Sequence, residues 1–404
     1  MSAVPTAARI SDVDEALRVA ATLADGFAVG AAQRDANREL PHEQIRALAA
    51  SGLLALTVPV EYGGIAAPYG TVVEVFRILA AADPSIAQIP HSHFTFLEAL
   101  RSQGTDEQKR FFYGEVLAGA LLANAQSERG SRPMNVDTTI LRRQGDDYVL
   151  SGRKFYSTGA LFADWILVRA SLADDPDATD ASTPKAVAFV RRDTEGLTVV
   201  DDWDGMGQRT TASGTVTLDD IVVPASAVVP YSPIFDGPTT YGAQAQITHA
   251  AIDVGIATGA LAEAVLQAGR ARPHFESGVE RAVDDPLLVQ IAGEATVTVR
   301  AAQVLLAQAA RAVDAARANP TEESTAAASI EVATAKVAAT RAAVETASVL
   351  FELGGTRSAS GSANLSRYWR DARTHTLHDA TRWKLQHIGR WTLSGTHPPR
   401  HGVL

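Results

Sequence analysis

The chain has 404 residues, of which 46% are hydrophobic and 20% are charged, so it can bury a sizeable core and is long enough for two or three cooperating domains. Its formal net charge of −10 offers no basic surface to nucleic acid or to an anionic membrane, and neither is expected as a partner. The absence of cysteine excludes disulfides, thiolate nucleophiles and cysteine-bound metal clusters, and it fits a reducing, cytoplasmic location.

The first 119 residues follow a helical pattern that is broken at Pro41, Gly52 and Pro84. Ser11 stands immediately before the first periodic run and is predicted to be its N-cap. The N-terminus lacks a basic stretch followed by an apolar one, so no signal peptide is expected. Residues 1–119 are therefore predicted to form an N-terminal α-helical domain.

The residue pattern changes twice in the rest of the chain. Residues 120–232 contain short runs rich in Val, Ile, Thr and Phe, separated by Gly, Asp and Pro, which predicts an antiparallel β domain. Residues 233–404 return to helical periodicity, with long alanine-rich segments near 239–270, 285–319 and 321–353 that predict a C-terminal four-helix bundle. The predicted fold is mainly α with a central β domain.

Two motif classes bear on the chemistry. Gly205-x-Gly207 resembles the start of a dinucleotide fingerprint, but a threonine takes the place of the third glycine and the following segment has a strand pattern. The histidine pairs His91-x-His93 and His375-x-x-His378 could ligate a metal, act as acid–base groups or simply be hydrogen-bonded in the core. No further ligand cluster accompanies them, so no metal site is predicted.

Two polar loops at the β domain offer hydroxyl, amide and backbone donors. They are Asn124 to Glu128, at its entrance, and Lys154 to Gly159, after a strand. Such groups can hold the polar edge of an isoalloxazine ring, although each loop alone is typical of ordinary turns. Together with Gly354-Gly355 after a long helix, and with the helix–sheet–helix order, they favour a flavin site.

Six segments, in order along the chain, resemble the acyl-CoA dehydrogenase superfamily: VPVEYGG (58–64), NAQSERGS (124–131), GRKFYSTGA (152–160), GMGQRTTASG (205–214), FELGGT (351–356) and YWRDAR (368–373). More narrowly, DDWDGMGQRTTASGTV from Asp201, RDARTHTLHDATRWK from Arg370 and the C-terminal PPRH resemble SfnB-type sulfur-acquisition oxidoreductases, relatives of the dibenzothiophene and dimethylsulfone monooxygenases. The resemblance implies the acyl-CoA dehydrogenase fold and a homotetramer.

The chain differs from true acyl-CoA dehydrogenases at the position of the catalytic base. Those enzymes remove an α-proton with a glutamate that in many members follows the Arg-Asp-Ala-Arg segment, where this chain has His378 and Asp379. The other known place for the base, near residues 244–246, has no carboxylate. The resemblance therefore implies a monooxygenase, in which reduced flavin and oxygen form a C4a-hydroperoxide and His378 handles its proton.

Further roles follow from the same resemblance. His93 is expected to face His378 across the pocket, and Ser157 and Thr158 to contact flavin or peroxide. FMN is implied as the cofactor, with FAD as the alternative, and a separate NAD(P)H-dependent reductase would supply it in reduced form. The residues that match cofactor contacts are Asn124, Ser127, Tyr156, Ser157, Thr158, Arg272, Gly354, Gly355 and Arg373.

The sequence thus predicts a two-component monooxygenase that uses reduced FMN and O₂ on a small organosulfur compound such as a sulfone or sulfide. A flavin-dependent acyl-CoA dehydrogenase with Asp379 as its base is the nearest alternative, and anaerobic reduction of bound flavin by an acyl-CoA would favour it. A non-catalytic flavin-binding or assembly module is a third possibility, which failure to bind any flavin would favour.

Overall fold

The computed structural model describes residues 7–130 and 132–404; the first six residues of the predicted N-terminal domain, and Ser131 of the NAQSERGS segment, lie outside them. The N-terminal part is helical and begins with a cap at Asp12, whose side chain accepts a hydrogen bond from the Glu15 N–H at 2.8 Å. The predicted cap, Ser11, instead bonds the Glu15 carboxylate. The helices of this part are α1 (Val13–Ala28), α2 (Ala31–Asn37), α3 (His42–Ala50), α4 (Tyr69–Ala82), α5 (Pro84–Gln88), α6 (His91–Gln103) and α7 (Asp106–Leu117).

One sheet forms the middle of the molecule. Its strands are β1 (Leu122–Ala125), β2 (Ile140–Gln144), β3 (Asp147–Ser157), β4 (Trp165–Ser171), β5 (Lys185–Arg191), β6 (Leu197–Val200), β7 (Gly214–Val223) and β8 (Val228–Pro230). They follow the order β6-β7-β3-β2-β4-β5-β8, and β1 pairs with β4. The sheet is mainly antiparallel, as predicted, but it is mixed, because β1 and β2 both pair with β4 in parallel. The remaining pairs are antiparallel.

Long helices make up the C-terminal part: α8 (Tyr241–Ala268), α9 (Pro286–Ala318), α10 (Glu322–Gly354), α11 (Ser366–His375) and α12 (Thr381–Ser394). The first three lie within two residues of the predicted segments because strong signals mark their ends. Asp285 caps α9 ahead of Pro286, and Thr321 and Ser324 form a reciprocal capping box on α10. The prediction of a helical bundle is confirmed.

Helix α8 is the central element and joins the N-terminal helices to the bundle. Two of its glycines let it approach α4 closely, since a Cβ on Gly255 would lie 2.5 Å from the Cβ of Ala80, and one on Gly259 would lie 2.4 Å from the carbonyl oxygen of Ala81. By length and composition α8 could cross a membrane, but 67% of its most apolar window is buried inside the protein, as in the core helix of a folded domain.

Candidate active site

Strand β3 ends in a tight turn that displays polar groups. Tyr156 has a φ of 56°, an unusual value for a residue with a side chain, and its ring is about half exposed. Ser157 is fully buried and pairs with Gly214 of β7. The turn is joined to the segment after β1, because the Phe155 N–H donates to the carbonyl oxygen of Ser127 at 2.8 Å. The two polar loops of the sequence therefore lie side by side.

Several polar atoms in this region are buried without an internal partner. Within residues 7–130 and 132–404, Oδ1 of Asn124 and Oγ of Ser157 are buried and form no hydrogen bond. Thr158 is different, since its hydroxyl lies 2.7 Å from that of Ser213, which is also 2.7 Å from the Thr211 hydroxyl. A buried acceptor or donor without a partner is costly. This donor and acceptor set fits the polar edge of a flavin ring.

A buried ion cluster fixes the segment that follows Asn124. The Nζ of Lys154 donates to Glu128 at 2.8 Å and to Asp137 at 3.0 Å. Burial opposes ionisation of Glu128, but Lys154 and hydrogen bonds from Thr138 and Thr139 lower its pKa to about 2. The cluster holds the start and the end of residues 128–139 together beside β3.

On the helical side, three histidine rings form a stack. The ring of His249, on α8, lies between His91, at a centroid distance of 3.8 Å, and His378, at 3.9 Å. His91 and His249 are buried, and burial lowers the pKa of His91 to about 3 and that of His249 well below its usual value. His378 is the exposed end of the stack, with 47% of its side chain accessible. It is the member of the stack that solvent reaches.

Beneath the stack, a buried chain of hydrogen bonds leads back into the bundle. Nδ1 of His249 lies 3.1 Å from Nε2 of His375, whose Nδ1 lies 2.5 Å from Oδ1 of Asp253. The other carboxylate oxygen of Asp253 accepts from Nζ of Lys336 at 2.8 Å. Burial alone would raise the pKa of Asp253, but Lys336 and His375 outweigh it and the pKa is lowered. Asp253 is therefore ionised and holds its histidine.

Asp379 is bonded to the exposed histidine. Its Oδ2 lies 3.2 Å from Nδ1 of His378, and its own side chain is only 7% accessible. Burial opposes ionisation, but His378 and Lys384 hold the pKa of Asp379 well below its usual range. A carboxylate with a depressed pKa is a weak proton acceptor. This argues against Asp379 as the base of a dehydrogenase.

His93 does not have the position expected from the sequence. It is fully buried, its Nε2 donates to the carbonyl oxygen of Leu54 at 2.8 Å, and its Nδ1 accepts from the Leu122 N–H at 3.1 Å. Both ring nitrogens are thus engaged with backbone, and His93 ties α6 to β1. Of the two histidines at the start of α6, it is His91 that lies near His378, with ring centroids 6.3 Å apart. The i, i+2 spacing places the two rings on different sides of α6.

The remaining predicted residues lie on two other elements. Arg373, on α11, donates to the Thr376 hydroxyl at 2.8 Å and so braces the turn before His378. Gly354 ends α10, and Gly355 follows with a φ of 63°. Arg272 is exposed in the segment after α8. These glycines and Arg272 share one end of the bundle, since Arg357 donates to the Arg270 carbonyl oxygen at 2.9 Å.

The two halves of the site meet between the sheet and the bundle. A Cβ on Gly159 would lie 3.0 Å from the carbonyl oxygen of Ile89, two residues before His91. Gln208 lies in the segment before β7, and Ser213 stands immediately ahead of that strand. The Gln208 N–H donates to Asp371 on α11 at 2.6 Å. These contacts join the turn after β3 to the segment before His91, and the segment before β7 to α11.

Sequence reasoning missed His249 and the role of Asp253. The available signal was their spacing, since a histidine and an aspartate four residues apart share one face of a helix. Both are polar residues inside the otherwise apolar α8, where a buried polar group needs a partner. Asp253 lies about two turns beyond residues 244–246, where the resemblance places the other known base.

Family models for acyl-CoA dehydrogenases match the chain in order: the N-terminal domain over residues 15–120, the middle domain over 122–221 and the C-terminal domain over 247–383. The chain belongs to the acyl-CoA dehydrogenase family.

Within that family it is similar to flavin monooxygenases. It is 30% identical to a dibenzothiophene monooxygenase from Rhodococcus qingshengii, over 95% of this chain and 94% of that protein. It is also 30% identical to a probable FMNH2-dependent monooxygenase, SfnC, from Pseudomonas putida, over 95% and 96%. The crystal structure of FMN-bound TdsC from Paenibacillus sp. A11-2 superposes with a TM-score of 0.90 at 32% identity, over 96% of this chain and 100% of that one.

Proposed function

We propose that this protein is a two-component flavin monooxygenase that binds reduced FMN from a separate NAD(P)H-dependent reductase and transfers one oxygen atom of O₂ to an organosulfur compound such as a sulfide or sulfone. One observation carries the proposal: the buried polar atoms of Asn124 and Ser157 have no hydrogen-bond partner within residues 7–130 and 132–404, and the edge of a bound flavin would supply one. The relatives named for FMN, for reduced FMN and for a sulfur compound support it.

The cofactor would be held mainly from the sheet side. Ser157 and Asn124 would bond the polar edge of the ring, and Tyr156 and Ser127 would border it. Thr158 would stand at the near end of the hydroxyl chain that runs through Ser213 to Thr211. When bound, reduced FMN supplies the electrons that activate oxygen. FMN is preferred to FAD because FMN is what the similar TdsC structure contains.

His378 would manage the proton in this reaction. It is partly exposed, it is held at Nδ1 by Asp379, and histidine both donates and accepts protons near neutral pH. Its neighbours in the stack are neutral, because burial lowers the pKa of His91 and of His249. The proton on His378 is thus not repelled by a second charged ring.

The acyl-CoA dehydrogenase alternative has weaker support. It requires a base, and Asp379 has a lowered pKa and a hydrogen bond to His378. An assembly module that binds no flavin would leave the buried Ser157 hydroxyl and Asn124 carbonyl without a partner.

A homotetramer and a cytoplasmic location belong to the same proposal. Helices α8 and α9 carry large apolar side chains that are more than half exposed in the single chain: Val265, Leu266, Leu287, Val289, Val297 and Val304. Large apolar side chains that a single chain leaves exposed are typical of an interface between subunits. Assembly would bring the bundle end with Arg272, Gly354 and Gly355 against a partner, where these residues could contact the cofactor. Light scattering at micromolar concentration tests this, and a monomer would contradict it.

The function is tested by supplying chemically reduced FMN anaerobically and then adding O₂ with a panel of sulfides and sulfones. The proposal expects an oxygenated product without any reductase protein present. Reduction of bound oxidised flavin by an acyl-CoA would instead show a dehydrogenase, and no flavin binding would show a module.

A further inference from the structure

We propose that Asp253 and His375 form a buried relay that fixes His249 in one tautomer, with its Nδ1 protonated and its Nε2 bare, so that His249 serves as a proton-accepting positioning residue for His378. The tautomer follows from the contacts of the chain alone, whereas its use in catalysis rests on the proposed function.

The direction of the relay follows from its buried end. Asp253 is completely buried and ionised, with Lys336 and the Thr340 hydroxyl on one oxygen. Its other oxygen can only accept, so the 2.5 Å contact requires a proton on Nδ1 of His375. Burial lowers the pKa of His375, and a neutral ring protonated at Nδ1 has a lone pair at Nε2.

The next link involves a second neighbour. Nε2 of His375 lies 3.1 Å from Nδ1 of His249 and also 3.1 Å from Oε1 of Gln88. In the relay Nε2 accepts from the protonated Nδ1 of His249, which requires the Gln88 amide to turn its NH₂ group toward His375. His249 is itself kept neutral by burial, so its Nε2 is left as a lone pair. That nitrogen is buried and has no hydrogen-bond partner within residues 7–130 and 132–404. An acceptor that the fold buries, orients and leaves without a donor indicates that a donor arrives there during function.

The position of His249 indicates which proton it receives. One ring nitrogen of His249, one of His378 and one carboxylate oxygen of Asp379 lie within 4.8 Å of one another, a gap that a single water can bridge. A proton leaving His378 would add to Nε2 of His249, the Nδ1 proton would pass to Nε2 of His375, and the positive charge would come to lie beside the ionised Asp253. Each nitrogen that gains a proton is matched by one that loses a proton.

The same three ligands could instead hold a divalent cation, but two of them already satisfy each other, since Nδ1 of His378 lies 3.2 Å from Oδ2 of Asp379. The relay therefore explains the unpartnered Nε2 of His249 better than a metal site does. His91 cannot replace His249, since its Nε2 is bonded to the carbonyl oxygen of Ala245 at 2.9 Å.

Nitrogen-15 NMR of the full-length protein labelled at histidine tests the tautomer without any activity measurement. His249→Phe, which keeps a flat ring in the stack, identifies the signals of His249 by their loss. We expect Nδ1 protonated and Nε2 unprotonated between pH 6 and pH 8, with and without FMN. A proton on Nε2, or on both nitrogens, would overturn the proposal.

The role in catalysis is tested by Asp253→Asn combined with Lys336→Met, which removes the relay carboxylate without leaving its buried lysine unpaired. We expect mixed His249 tautomers, FMN affinity within about twofold of wild type, and a loss of coupled product of about 10- to 100-fold, below the 10²- to 10⁴-fold typical of a direct acid–base group. Thr258→Val is the matched control, because this α8 hydroxyl lies outside the relay: it donates within its own helix at 2.7 Å and accepts from Gln303 on α9 at 3.1 Å.

The two possible failures are distinguishable. If wild type gives no oxygenated sulfur compound, the proposed function fails, while the NMR result still decides the tautomer. If wild type is active and the double variant keeps full coupling with bound FMN, the relay is wrong and the function stands.

Discussion

The sheet side and the helix side of the active site satisfy their buried polar groups in opposite ways. On the sheet side, the Ser157 hydroxyl and the Asn124 carbonyl lack partners in the described chain, whereas on the helix side Asp253 and His375 are bonded at every available atom. Missing partners on the sheet side are what a ligand would supply, whereas the fully bonded Asp253 and His375 are preorganised and leave Nε2 of His249 as the open atom on the helix side. This contrast supports the proposed division between cofactor binding on the sheet side and proton handling on the helix side.

The largest expected effect is on the helix side. His378→Asn keeps a hydrogen-bonding group but cannot transfer a proton, so coupled product should fall by about 10²- to 10⁴-fold and hydrogen peroxide should appear instead. Product and peroxide measured in one reaction, with FMN binding followed by fluorescence, check this. Full coupling by His378→Asn with FMN bound would show that the assigned role is wrong. A proportional loss of FMN binding and of product would show that His378 only packs against the cofactor.

The sheet side should respond in binding instead. Asn124→Leu removes a buried acceptor whose partner we assign to the flavin, so the dissociation constant for FMN should rise by about tenfold, the effect of one lost hydrogen bond. Product per bound flavin should stay close to wild type. Unchanged FMN affinity with an intact fold would remove Asn124 from the cofactor site.

A smaller loss is expected at Asp379. Asp379→Asn keeps an oxygen 3.2 Å from Nδ1 of His378 but removes its charge, and a single hydrogen bond of this kind is worth roughly 0.5–1.5 kcal/mol, or about two- to tenfold in rate. Coupled turnover at pH 7 measures it. A loss as large as that of His378→Asn would show that Asp379 takes part directly in proton transfer.

The smallest effect concerns stability where the two sides meet. Burial, together with Asp35, raises the pKa of Asp371 to about 7, so the folded state keeps this proton after the unfolded chain has lost it. Wild-type stability should therefore fall as pH rises from about 4 to 7 and stay lower above that range. Asp371→Asn can still accept from the Gln208 N–H and should raise the melting temperature by a few degrees at pH 8, but hardly at pH 4. An equal change at both pH values would contradict the assignment.

The sequence could predict what periodicity and capping determine. The bounds of α8, α9 and α10 follow from the apolar pattern and from the signals at Asp285 and Thr321. It could not predict the parallel pairing of β1 with β4, because register depends on partners distant in sequence. At the site, motif resemblance was enough to identify the loop that carries His378. It was not enough to choose His91 over His93, because that choice depends on how α6 is rotated, which turns the His93 ring to the Leu54 carbonyl.

The most direct measurement is the fate of labelled oxygen. Wild-type protein would receive chemically reduced FMN anaerobically, then ¹⁸O₂ and an organosulfur substrate, and the product would be analysed by mass spectrometry. The account predicts one ¹⁸O atom per product molecule, with a large loss in His378→Asn and a corresponding gain of labelled hydrogen peroxide. An unlabelled product, or flavin reduced by an acyl-CoA in the absence of oxygen, would contradict the monooxygenase assignment.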